Sequence, residues 1–501
     1  MDLKTENNDS DGLDQSTSVL SLFTRRRLLL EHRICPDPTI DALPDDTLLE
    51  IFDFYRLDVM DPNDCSWTWH TLVHVCRRWR DIVFASPRSL DLRLLCKHGT
   101  PVRDGLSYWP PFPIIVNYAS DRKNVLPTHE DHILVALAHP DRVCRVEVVG
   151  WSWIFQTLKT VMQQPFPELT HLRWCKDFGP TFTNKFLGGS VSHLRSLSLR
   201  RISFPALPRI LPTATDLVSL RLLELEMGGA SHIQSRVMIT CLSKLPRLEH
   251  VTIHFCLDGR YRAEEQCPLP STRVILPSLT EFDFLGFSGY LDDLVARIDT
   301  PSVKTFSATV FTHPLIPLLH FSNFVLRTGG HTLPDNATVY SDGGTVSISL
   351  HWPEVASGDS KDQLFRLGVS CDPKNWKVRN LVHLGRMCLP ALLANLERLS
   401  ITAKLPRRSS GDDDSDSLHW LTFLRLFTSV DTLYVCEAMG PHISLALETA
   451  AKRMEMGTLG QEVLPAMRNI QFGYSGSSQR MIPERFVAMR QLSGHPVIVR
   501  H

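Results

Sequence analysis

Catalysis needs side chains that converge, and the reactive residues of this chain show no spacing that would bring them together. Its 21 histidines are scattered. None falls in an H-E-x-x-H arrangement, where two histidines one helical turn apart would hold zinc beside a general base. No G-x-S-x-G elbow presents a nucleophilic serine, and there is no P-loop or dinucleotide fingerprint to cradle phosphate. Gly228-Gly229 and Gly329-Gly330 read as turns, because neither leads from a strand into a helix or is followed by a lysine. Acidic pairs such as Asp292-Asp293 fall where helix ends are expected, and capping accounts for them. Twelve cysteines are spread with no two closer than eleven residues, so no C-x-x-C or Cys/His set offers metal ligands. These spacings point to a chain that is not an enzyme and uses no cofactor and no metal.

Bulk properties narrow the remaining classes. Lysine plus arginine (53) nearly balances aspartate plus glutamate (54), a net charge of −1. Such a balance gives no general pull toward nucleic acid or an anionic membrane. Hydrophobic content of 43% is that of a soluble globular protein, and no run of about 18 apolar residues suggests a membrane span. The first residues are polar and acidic where a secretory signal would be basic and then apolar. Arg25-Arg26-Arg27 reads as a solvated helix face rather than a nuclear signal. Cys76, Cys175, Cys256 and Cys436 lie on apolar patterns, as small buried hydrophobes of a reducing compartment would. The expected location is cytoplasmic, nuclear or both.

The elements that could position a binding function begin at residues 43–83. Pro44 suits a helix start, and Asp45-Asp46 then meet the positive end of the helix dipole. Leu48, Ile51, Phe52 and Tyr55 follow at spacings of three and four, which predicts one shared face. Asp61 to Asp64 carries turn chemistry. Leu72, Val75, Cys76, Trp79, Ile82 and Val83 predict a second apolar stripe on one helix, with Arg77, Arg78 and Arg80 solvated. Ser86-Pro87 ends it. Two short amphipathic halves of this size suggest a docking module.

These residues resemble the F-box, the helical motif that binds the Skp adaptor of cullin-based ubiquitin ligases. The resemblance rests on Leu43-Pro44, the acidic pair, Leu48, Leu49, Ile51 and Phe52, then Val75-Cys76-Arg77-Arg78-Trp79. It covers roughly residues 36–86 of an F-box domain placed at 36–90, and the continuation FASPRSLDLRLLCKHGTP is similar to F-box-like proteins of mushroom-forming fungi. The resemblance implies adaptor contacts through Leu43, Pro44, Leu48, Ile51, Phe52, Val75, Cys76 and Trp79.

From residue 140 onward a short pattern recurs: an apolar residue, then others three and five positions later. Leu169-Leu172-Trp174, Leu194-Leu197-Leu199, Leu217-Leu220-Leu222, Leu248-Val251-Ile253 and Leu279-Phe282-Phe284 are consecutive copies. After a gap it resumes at Leu396-Leu399-Ile401, Val430-Leu433-Val435 and Met467-Ile470-Phe472. This L-x-x-L-x-L core resembles a leucine-rich repeat, in which a short strand lines the concave side of a solenoid. The expectation is an α/β chain: a disordered segment 1–35, a small helical head, and a curved, irregular leucine-rich-repeat-like solenoid over 91–501. Residues 324–385 break the rhythm. Alternating Val346, Ile348 and Leu350 beside Asp342-Gly343-Gly344 predict a hairpin, read as an enlarged repeat or an inserted domain. Residues 407–417 predict a polar, acidic loop.

Alternation along each repeat strand predicts an outward set that includes Arg173, Arg200, Arg221, His254, Glu281, Asp283 and Tyr434, a mixed surface that suits a protein partner. Together with the F-box resemblance this implies a substrate receptor of a Skp–cullin–F-box ligase. Its partners would be the adaptor, a cullin through it, and a protein substrate, with no nucleic acid or membrane. The rival reading is a scaffold that binds the adaptor without any ligase.

Overall fold

The computed structural model describes residues 40–58, 68–97, 100, 102–118, 128–150, 152–176, 185–201, 205–225, 233–257, 272–311, 318–328, 333–341, 345–352, 364–370, 378–387, 390–403, 413–457, 462–473 and 483–500. The segment 1–35, the turn 342–344 and residues 407–412 of the acidic stretch lie outside them. The chain divides into one unit ending at Leu95 and another beginning at Cys96.

In the first unit, helix α1 spans Asp45–Asp58, α2 spans Thr68–Val73 and α3 spans Arg77–Ala85. Asp45 and Asp46 occupy the first turn of α1. The second stripe is not one helix as its spacing predicted. The chain breaks at His74-Val75, whose N–H groups bond back to Thr71 O and Leu72 O at 3.3 Å each, the tight turn of a helix end. Cys76 then takes an extended conformation and caps α3, its Sγ accepting the Trp79 N–H at 3.4 Å. Trp79 meets Phe52 of α1 with ring centroids 4.7 Å apart. Leu48, Phe52, Leu72, Val73, Ile82 and Val83 are all buried.

The second unit is built on a large mixed sheet. Its strands are β1 (Ile114–Tyr118), β2 (Val143–Gly150), β3 (His171–Lys176), β4 (Ser196–Arg200), β5 (Ser219–Leu225), β6 (His250–Phe255), β7 (Glu281–Gly286) and β8 (Thr305–Phe311). They continue as β9 (Asn336–Ser341), β10 (Thr345–His351), β11 (Leu364–Ser370), β12 (Arg398–Ala403), β13 (Thr432–Val435), β14 (Asn469–Phe472) and β15 (Ile498–Arg500). From β1 to β8 each strand pairs with the next in parallel, as strands joined by crossover connections can. Helices return the chain between rungs, among them Thr128–Leu137, Ser235–Leu242, Ser288–Arg297 and Gly440–Glu455.

The repeat pattern explains the register. Its second residue aligns across neighbouring strands: Leu172, Leu197, Leu220, Val251, Phe282 and Phe306 lie side by side, all buried. A slip of one residue would turn every one of them to the opposite face. In the middle the column becomes aromatic. Phe306 stacks between Phe282 at 5.0 Å and Phe365 at 5.5 Å, and Phe324 from the following helix closes on it at 5.1 Å. Each such ring contributes about 1.5–3 kcal/mol by burial.

The break at 324–385 is a meander inside the sheet. Strand β10 runs antiparallel to both β9 and β11, while β11 lies parallel to β8 and β9 parallel to β12. The spatial order β8-β11-β10-β9-β12 therefore restores the parallel direction on either side. Ser347 and Ser349 of β10 are buried along with Val346, Ile348 and Leu350, so this strand is covered on both faces rather than half-buried. The acidic stretch is not a loop throughout: a helix begins at Asp413 and runs to Leu424, with Ser417 buried. Acids are tolerated there because a helix start favours them.

Candidate interaction surfaces

Helix α1 has apolar residues on both sides, and the structure uses the two sides differently. Leu48 and Phe52, one turn apart, are 0% and 1% exposed in the unit's own core. They are unavailable to a partner, which corrects the expectation that they make adaptor contacts. Ile51 and Tyr55 are instead exposed, and so is Phe54 at 71%. Phe54 is three residues from Ile51 and so shares its side of the helix. Spacing alone groups Leu48, Ile51, Phe52 and Tyr55 in a single stripe and leaves Phe54 off it. Val75 is exposed at the break, Pro44 is exposed, and Leu43, Cys76 and Trp79 are half-buried.

The arginines of α3 do not all point to water. Arg78 pairs with Asp45 at 2.6 Å and donates to the Leu43 carbonyl at 2.6 Å, which pins the Leu43-Pro44 entry to α3. Arg80 donates to Val73 O at 3.0 Å, satisfying an end carbonyl of α2. Arg77 alone keeps an exposed, long contact, 3.9 Å to Asp81. His70 stacks on Trp69 at 3.7 Å. Its burial, helped by His74, lowers its pKa from 6.5 to about 4.

In the body, strand alternation sends one set of residues into the core and the other to the open face of the sheet. Arg173, Ser198, Arg221, Thr252 and Asp283 stand in one row on consecutive strands β3 to β7. Tyr434 is exposed and stands opposite Ser400 much farther along the sheet. Glu281 pairs with His250 at 3.1 Å, and Asp283 with His254 at 2.8 Å. Arg200 is held by Glu224, 2.7 Å from its Nε, and Arg201 pairs with Glu224 as well. The sequence pattern omitted Glu224 because register is lost at that point: Arg201 and Glu224 both have positive φ, 53° and 54°, and pairing with β6 shifts between Leu222 and Leu225. Glu147 was also missed, and it is held by Arg145 at 2.7 Å.

Asp292 and Asp293 have structural work, though not at their own helix ends. The Asp292 carboxylate accepts the His320 N–H at 2.7 Å, capping the next helix, Phe321–Thr328. Burial raises its pKa against the pull of these bonds. Asp293 accepts from Ser235 at 2.6 Å and pairs with Arg297 at 2.8 Å. Among the described residues no cluster of three or more His, Cys, Asp or Glu is placed to hold a metal. No helix among them is long and apolar enough to cross a membrane.

A large, mostly parallel sheet with a leucine-patterned core and returning helices defines a leucine-rich-repeat-like body. No protein-family model matches the chain, and no curated protein does. Among solved structures, the leucine-rich repeat-containing protein LegL7 from Legionella pneumophila is 10% identical, with 81% of this chain and 99% of that one covered and a TM-score of 0.27. The TLR13–ssRNA13 complex is 12% identical, with 76% of this chain and 45% of that one covered and a TM-score of 0.26. Overlaps at these scores decide nothing further, and the character of the body stands on the register of its own strands.

Proposed function

We propose that this chain is the substrate receptor of a Skp–cullin–F-box ubiquitin ligase. The observation that carries the reading is the outer side of α1, where Ile51, Phe54 and Tyr55 are exposed beside a Leu43-Pro44 entry pinned by Arg78. A short helical unit that leaves large apolar side chains in water has a use for them at an interface. The adaptor would cover that side, and the open face of the sheet would hold a protein substrate. No catalytic group is then required of this chain, since holding a substrate near a loaded conjugating enzyme raises its effective concentration. The location would be cytoplasmic, nuclear or both.

The test is capture of a purified Skp-type adaptor by the intact protein, with a cullin added in a second step. The expected result is a complex of all three that is lost in a Leu43→Ala/Pro44→Ala double variant. No adaptor capture by the wild type, or capture identical in the double variant, would refute the proposal. Adaptor binding that never recruits a cullin would favour the scaffold reading.

A further inference from the structure

We infer that the open face of β3 to β5 is a binding site for an acidic peptide segment whose carboxylates lie three residues apart. The site belongs to the receptor reading of that face and names the chemistry of what it holds. In the row Arg173–Ser198–Arg221, both arginines are exposed. Among the described residues neither guanidinium has an ion-pair or hydrogen-bond partner. Their situation differs from that of the other charges nearby. Glu147, next in the row on one side, is already held by Arg145 at 2.7 Å. On the other side, beyond Thr252, Asp283 is held by His254 at 2.8 Å. Arg200 is engaged by Glu224. The acids on either flank are thus matched, and two unmatched guanidinium groups remain between them.

Spacing identifies the ligand. Two strand steps separate Arg173 from Arg221, about 10 Å at the usual interstrand distance. Three residues of a peptide in the polyproline II conformation complete one turn and rise about 9 Å, so residues i and i+3 share one side. A peptide laid across the strands with acids at positions i and i+3 would set one carboxylate on each guanidinium, the planar bidentate pairing arginine favours. Ser198 lies between the two, with Ser196 and Ser219 in the next row along the strands, and these hydroxyls face the peptide backbone. A single phosphate would meet one guanidinium well and stretch to the other, so the pair fits two separated carboxylates better. The chain's own acids at Asp413 start the helix that follows β12, a strand seven steps beyond β5 in the sheet order, about 34 Å along the sheet.

The experiment measures binding of fluorescein-labelled nine-residue peptides to the intact protein by polarisation. One peptide carries glutamates at i and i+3 in a Gly/Ser/Ala background. A second carries the same two glutamates adjacent, and a third carries one phosphoserine. The i,i+3 peptide is expected to bind tightest. Arg173→Ala/Arg221→Ala should weaken it about tenfold, the combined reach of two exposed ion pairs, with the melting temperature unchanged. Arg173→Lys/Arg221→Lys should recover only part of the loss, because lysine keeps the charge without the fork. Equal binding of the two glutamate peptides, no effect of the double alanine variant, or tightest binding by the phosphoserine peptide would each overturn the site. Adaptor capture does not enter this assay, so the receptor reading and the peptide site can fail separately.

Discussion

The two units treat their apolar residues in opposite ways. In the body, the second and third residues of each repeat are buried almost without exception, and the column from Leu172 to Phe306 passes from strand to strand. In the head, α1 buries Leu48 and Phe52 but leaves Ile51, Phe54 and Tyr55 exposed. A solenoid satisfies its apolar pattern internally, because each rung is covered by its neighbours. A unit of short helices has less interior to do so, and its leftover side chains form the surface proposed above for docking. On the proposed function the head's apolar residues are divided between stability and binding, whereas the body's serve stability and its polar row is the one proposed for binding.

Substitutions can break or sharpen that contrast. The largest effect is expected in the body: Phe306→Ala should destabilise it by about 3–5 kcal/mol, since the ring touches Phe282, Phe321, Phe324 and Phe365. Hydrogen exchange in urea should show the loss in strands β7 to β11 while the head is unchanged. Next is Gly286→Ala. A Cβ there would lie 2.5 Å from the Phe255 ring, and overpacking of this kind costs about 1–3 kcal/mol, read as a lower denaturant midpoint. Arg78→Ala should cost the head about 1 kcal/mol, because the pairing with Asp45 is partly exposed and screened.

Comparable in size is a pH effect confined to the head. The folded unit keeps His70 neutral down to about pH 4, whereas the unfolded chain takes up the proton below its ordinary value of about 6.5. Stability from this source is thus complete above about pH 6.5, falls as the pH drops toward 4, and is level below that. His70→Gln should flatten the head's exchange profile across that window, and an unchanged profile would count against it. The smallest effect on stability is expected for Phe54→Ser, within about 0.5 kcal/mol, although the exposed apolar side of α1 would lose its most exposed ring.

The body was the more legible half. A period of two within each strand fixes which residues face inward, so Leu197, Leu220 and Phe282 could be placed from spacing alone. Strand β11 could not, because Leu364–Ser370 enters the sheet through an antiparallel meander and carries no L-x-x-L-x-L core. Glu224 was hidden by the positive φ at the end of β5. In the head, apolar residues lie on both sides of α1, so spacing does not say which side is the core or that Phe54 belongs to the exposed one. The break before Cys76 was equally silent, since Val75 and Cys76 continue the helical spacing while the backbone leaves it. Of the site, the outward arginines were found by alternation. Which of them are already paired depends on neighbours from other strands, which spacing within one strand does not contain.

The contrast between the units is tested most directly by calorimetric titration of a purified Skp-type adaptor into the intact protein and into an Ile51→Asp/Phe54→Asp variant. Both side chains are exposed, so the variant should melt with the wild type. Tight binding by the wild type and none by the variant is the expected result. Equal affinity in the two proteins, with both folded, would contradict the assignment of that side of α1 to docking.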